Sequence, residues 1–171
     1  MNYKETLFFI AKSLTILSEE KNRCEIEFLL KKNKIEWDSV VKLSTKHCVL
    51  PALFINLKRA QFLKYIPSDL VNYMKFITEI NRERNQKIIL QSNKINFLLN
   101  KNGITPIFLK GTGGLIAGLY NDIAERMVGD IDFLIKNEDH KLAYKILSKN
   151  NYYTPNNFLD NYPDHRHYPR L

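Results

Sequence analysis

Two short apolar runs, each ending in chemically distinctive residues, constrain this chain more than anything else in it. The first, Ile107-Phe108-Leu109, leads into Lys110 and the glycine-rich stretch Gly111-Thr112-Gly113-Gly114. The second is Gly129-Asp130-Ile131-Asp132-Phe133-Leu134-Ile135. Side chains alternate across a strand with a period of two, so Asp130 and Asp132 share one face while Ile131 and Phe133 take the other. Two neighbouring carboxylates repel each other unless a cation or a proton neutralises them. Mg²⁺ suits such a pair, because it takes oxygen ligands and keeps water or phosphate oxygens in its remaining positions. An Asp-x-Asp alone also describes a solvated strand face. The glycine turn tips the reading: it permits close backbone approach to a ligand, and a helix after it aims N–H groups at an anion. Turn and acidic pair together describe a site for a metal ion and a nucleoside triphosphate, with Asp130 and Asp132 as the metal ligands.

The remaining composition bounds the partners. At 171 residues the chain is long enough to bury a real core. A formal charge of +8 suits a polyanionic partner, a nucleotide or nucleic acid, but the lysines are scattered and form no consecutive basic block. Cys24 and Cys48 lack metal-type spacing and read as free thiols in a reducing compartment. The apolar patch Leu7-Phe8-Phe9-Ile10-Ala11 is preceded by Glu5 and interrupted by Lys12, with no small-residue cleavage site after it, so no signal peptide is expected. No run approaches the length of a membrane span. A cytoplasmic protein is expected, with no membrane association and an oligomeric state that the sequence leaves open.

Helical periodicity dominates the chain up to Gly103. Apolar positions at helical spacing predict two amphipathic helices within residues 3–33 and another from Trp37 to about Val49. Pro51 is placed to open the next, where its missing N–H costs little. His47, just before that junction, reads as a helix-end residue. A long helix is predicted from Ser68 to about Asn102, with Gly103 to end it. Leu70, Met74, Ile77, Ile88, Ile95 and Leu98 form its apolar line. Asn81 and Arg84 interrupt that line, so either the helix crosses the edge of the core there or the two side chains enter a polar cleft. From Thr105 the elements shorten: a strand to Lys110, a helix over residues 115–120 and a strand over residues 130–135. A helix over residues 138–149, capped at Asn137, and a short strand at Tyr152 and Tyr153 follow. The expected class is α+β: an all-helical region (1–103) followed by a partial core (104–171) with a small mixed sheet and flanking helices.

The string Leu109-Lys110-Gly111, Leu119-Tyr120, Arg126 and Gly129-Asp130-Ile131-Asp132 resembles the uncharacterised bacterial nucleotidyltransferases of the DNA polymerase β-like superfamily. The likeness extends back through Trp37-Asp38, His47 and Pro51-Ala52-Leu53, and forward to His165-Arg166-His167-Tyr168-Pro169. It implies transfer of a nucleoside monophosphate from an NTP to an acceptor hydroxyl, with release of pyrophosphate. Gly111 and Thr112 match a turn that contacts nucleotide phosphates, and Asp130 and Asp132 match metal-binding acids that hold Mg²⁺. Lys110 and Arg126 would neutralise phosphate charge, Arg126 through a bidentate fork. A structural ion pair of Arg126 with Glu125 or Asp122 is the alternative. Arg84 joins the set if it lines the cleft.

One departure bears on activity. Active members of the superfamily present a third carboxylate from a later strand, and none is identifiable before Leu171; Asp160 and Asp164 lie in a loop-like stretch. Three explanations follow: a fragment of a longer enzyme, a short protein completed by a partner, or a degenerate module. Whether the chain is an enzyme is therefore left open. The alternative function is a catalytically inactive module that binds a protein or RNA, as an antitoxin or regulator does. Base preference, the acceptor (protein, RNA or small molecule) and the roles of His165 and His167 cannot be read from the residues.

Overall fold

A 33-residue helix runs through the centre of the molecule and separates two kinds of architecture. The computed structural model describes residues 1–152. Tyr153, Asp160, Asp164 and residues 165–169, to which the sequence drew attention, lie outside the described residues. Four short helices come first: α1 (Tyr3–Ser13), α2 (Glu20–Lys31), α3 (Trp37–Lys46) and α4 (Leu50–Arg59). The long helix α5 (Ser68–Asn100) follows. Then come strand β1 (Ile107–Phe108), helix α6 (Lys110–Ile116), strand β2 (Phe133–Leu134) and helix α7 (His140–Lys149).

Local chemistry accounts for most of these boundaries. Asn2 caps α1 by accepting from the Glu5 N–H, while the Glu5 carboxylate accepts from the Asn2 N–H. Pro51 sits in the first turn of α4, as expected. Gly103 stops the chain after α5 in a left-handed conformation, φ +78°, which lets the Ile104 N–H reach back to the Leu99 carbonyl at 3.0 Å. His47 caps the end of α3 and is exposed. Cys24 and Cys48 are free and exposed. No helix among the described residues is long and apolar enough to cross a membrane.

The buried stripe of α5 holds the two architectures together. Met74, Thr78, Asn81, Asn85, Ile88, Ser92, Ile95 and Leu99 are all buried along it. Its N-terminal end joins a large cluster with Phe9, Leu53, Leu57 and other side chains of α1–α4. Its C-terminal end packs Ile95 and Leu99 with Ala143, Ile146 and Leu147 of α7, and the aromatic rings of Phe108 and Phe133 close this cluster. A third cluster links Ile88 to Leu115 and Val128.

The fold is α+β, and its sheet is smaller than expected. Among the described residues it is one antiparallel pair, with Ile107 opposite Leu134 and Phe108 opposite Phe133, rather than a mixed sheet. The helix after β1 also begins earlier than the periodicity indicates, at Lys110 rather than Leu115, and ends at Ile116 rather than Tyr120. Leu109 is extended, and the Gly113 N–H donates to its carbonyl at 2.8 Å, so the glycine stretch itself forms the first helical turn. Helix α7 starts at His140, after a 3₁₀ turn over Asn137–Asp139, two residues later than expected.

Candidate functional site

Three contacts join the start of α6 to the acidic segment. The Leu109 N–H donates to the Asp132 carbonyl at 2.9 Å. The Thr112 hydroxyl donates to the Asp130 carbonyl at 2.8 Å, and Thr112 is itself buried. The Lys110 ammonium lies 2.9 Å from Asp132 Oδ2. Lys110 reaches it from a left-handed backbone, φ +49°, a conformation that costs a non-glycine residue about 1–2 kcal/mol and is held only where its surroundings enforce it. Asp130 and Asp132 precede β2 instead of lying within it, yet the alternation expected of them holds. Ile131 packs into the core clusters, while Asp130 is exposed and Asp132 is partly so.

The glycines serve the protein's own packing. A Cβ on Gly113 would lie 2.7 Å from the Phe108 carbonyl oxygen, and one on Gly111 would lie 2.8 Å from Val128 Cγ2. Neither position can take a side chain without moving a neighbour, so α6 can lie this close to β1 and to the loop before the aspartates only with glycine there. The sequence offers the same residues for close approach of a ligand; the structure shows what they do inside the fold.

A second set of contacts fixes the loop that leads to the acidic pair. Asn81 of α5 donates to the carbonyls of Ala124 (2.8 Å) and Arg126 (3.1 Å), and Asn85 to those of Ile123 (2.5 Å) and Arg126 (2.7 Å). Asn81 lies at the floor of a shallow depression that Arg84 also lines, with its amide turned to the loop. It is buried because it satisfies backbone acceptors more than forty residues away in sequence. The Oδ1 atoms of both asparagines are buried and have no partner among the described residues. Asp122, in the same loop, pairs with Arg82 and accepts from the Ala124 N–H at 2.9 Å. Burial pushes the Asp122 carboxyl up, but the Arg82 hydrogen bond and the Ala124 N–H outweigh it, and the group sits below the usual carboxylate range. The same bond, with a second to Glu79, raises Arg82. Sequence reasoning missed Asn85, Arg82 and Arg59. The signal for the first was present in the four-residue spacing of Asn81 and Asn85 along a buried line.

Arg126 has no ion-pair partner among the described residues. The two carboxylates offered as its structural partners are engaged elsewhere: Glu125 with Arg59 at 2.5 Å, and Asp122 with Arg82. Its carbonyl is anchored by the two asparagines and its side chain is exposed. Arg84 is exposed and lines a shallow depression of about 220 Å³ with Tyr73, Ile80, Asn81 and Met127. No contact among the described residues links it to Asp130 or Asp132.

The donor set suits a hard divalent cation. Asp130 and Asp132 would offer two carboxylates, that of Asp132 now paired with Lys110, and Mg²⁺ is commonly held by one or two carboxylates with water and phosphate oxygens completing its shell. No group of three or more His, Cys, Asp or Glu side chains placed to hold a metal occurs among the described residues. By donor type the two aspartates would serve such an ion only as part of a shell that a phosphate ligand completes.

A family model described as an uncharacterised nucleotidyltransferase matches residues 33–170. No curated protein and no solved structure matches the chain.

Proposed function

The chain belongs to the family of uncharacterised nucleotidyltransferases, and from that premise we propose that it is a metal-dependent transferase built on the DNA polymerase β-like plan. Membership implies a nucleoside triphosphate as substrate. In the proposed reaction an acceptor hydroxyl attacks the α-phosphorus. The bond from acceptor oxygen to phosphorus forms, the bridging bond to the β-phosphate breaks, and pyrophosphate and a proton leave.

Asp130 and Asp132 would hold Mg²⁺. When bound, the ion supplies positive charge against the triphosphate and orients it for in-line displacement. The protein's own residues divide the remaining work. Lys110, 61% exposed and paired with Asp132, is placed to transfer its charge from the carboxylate to a phosphate. Arg126, exposed and unpaired among the described residues, offers a planar fork to phosphate oxygens. The Gly111 N–H, in the first turn of α6, would be offered to an anion there. Thr112 acts as a positioning residue, holding the backbone of Asp130.

The observation that carries this reading is the junction itself: Thr112 of the glycine-rich turn is bonded to the backbone of Asp130, and Leu109 just before the turn to that of Asp132. The test is thermal unfolding with Mg²⁺ and each of the four NTPs. Wild type is expected to gain melting temperature with at least one of them, and the double variant Asp130→Asn/Asp132→Asn is expected to gain none. Absence of any shift in wild type would sink the proposal. The Lys110–Asp132 ion pair favours a second reading, because a carboxylate neutralised internally needs no metal. On that reading the chain is a catalytically silent module binding a protein or RNA. Association that survives EDTA and the double variant would support it, and a steep salt dependence would identify RNA.

A further inference from the structure

Helix α5 carries a second stripe, opposite the buried one, whose large apolar side chains stay exposed among the described residues. Tyr73, Phe76, Ile80, Leu90 and Phe97 are all exposed, from 41% at Ile80 to 69% at Leu90. They fall on an alternating three- and four-residue spacing, and the other three positions of that spacing are Glu83, Lys87 and Lys94. This is the repeat that keeps one seam of a helix facing a partner helix. The buried residues of α5 follow the same repeat on the far side, and the seam stays exposed although Tyr73 and Ile80 border the depression beside Met127. It covers about 36 Å of helix at 1.5 Å per residue.

The arrangement of charges selects the occupant. Laid antiparallel on a second copy of itself about a midpoint at Asn85, the stripe matches layer by layer. Tyr73 meets the partner copy's Phe97, and Ile80 meets its Leu90. Phe76 meets Lys94, a ring against an ammonium. Glu83 meets Lys87, and twofold symmetry makes that ion pair twice. A parallel arrangement instead sets Glu83, Lys87 and Lys94 each against its own copy, three layers of like charge. A one-heptad slip in either direction leaves apolar side chains against charged ones. We infer that α5 is an antiparallel self-association helix, and that the chain forms a twofold dimer through Tyr73, Phe76, Ile80, Leu90 and Phe97, with Glu83 and Lys87 setting direction and register. Lys94, whose ammonium lies 5.9 Å from the Tyr152 ring centre in the protomer, would exchange that loose contact for Phe76 of the second copy.

Sedimentation velocity on the full chain tests this, from about 1 to about 100 μM, where a modest interface titrates. Wild type is expected to move from monomer to dimer across that range. Leu90→Glu is expected to weaken the dimer about a hundredfold by burying an unpaired charge at a central layer. Glu83→Lys places like charges in two layers and is expected to weaken it about tenfold or more. The exchange Glu83→Lys/Lys87→Glu restores both pairs and should recover dimerisation. Circular dichroism of each variant establishes that the exposed substitutions leave the fold intact. Wild type that stays monomeric throughout, or a dimer indifferent to Leu90→Glu and Glu83→Lys, overturns the inference.

Discussion

The helices before α5 and the segment that carries the aspartates are held by different forces. In the first region, interdigitated apolar side chains do the work: Phe9, Leu53, Leu57 and Met74 are almost wholly buried in one cluster. In the second, four strand residues form the only ladder among the described residues, and most of the segment has no regular structure. Its path is fixed by side chains reaching backbone groups: Thr112 to Asp130, and Asn81 and Asn85 to the loop at 123–126. Apolar packing tolerates sequence change so long as volume is kept. A hydrogen bond to one particular carbonyl fixes one particular conformation.

Three substitutions sharpen or break that comparison, beginning with the largest effect. Leu53→Ala opens a cavity in the helical region and is expected to cost about 3 kcal/mol, read from urea unfolding. A loss under about 1 kcal/mol would mean the apolar region is not the rigid one. Asn85→Ala removes two donors from loop carbonyls but also removes a buried, unpartnered oxygen, so a net loss of about 1–2 kcal/mol is expected. Hydrogen exchange should speed up at residues 122–128 and stay unchanged in α1–α3; equal loss of protection in both places would erase the distinction. The smallest effect belongs to Asp122. Its pKa is lowered in the folded state, so its contribution is present above the ordinary carboxylate pKa and is lost as pH falls through the acid range. Asp122→Asn should therefore cost about 0.5–1 kcal/mol near pH 7, and the gap between variant and wild type should shrink as pH falls below the ordinary carboxylate range. A gap that stays constant with pH would show that the Arg82 pairing is not its source.

The order of α1–α5, the starts of α3 and α5, the stop at Gly103 and the opposed faces of Asp130–Asp132 and Ile131–Phe133 were legible in the residues alone. Each is local: it depends on periodicity, a cap or a backbone preference within a few positions. The family was legible too, because its string of Lys110, Gly111, Arg126, Asp130 and Asp132 is itself a pattern in sequence. The partners were not. Sequence could place Asn81 on a buried line but could not show that its amide would meet carbonyls at 124 and 126, nor that Arg82 and Arg59 would take the carboxylates offered to Arg126. It assigned the glycines and Thr112 to a ligand, whereas the fold engages them first in holding α6 to β1 and to Asp130. Periodicity is written in neighbouring residues and survives without a fold. A hydrogen-bond partner some forty residues distant exists only once packing has brought the two groups within 3 Å.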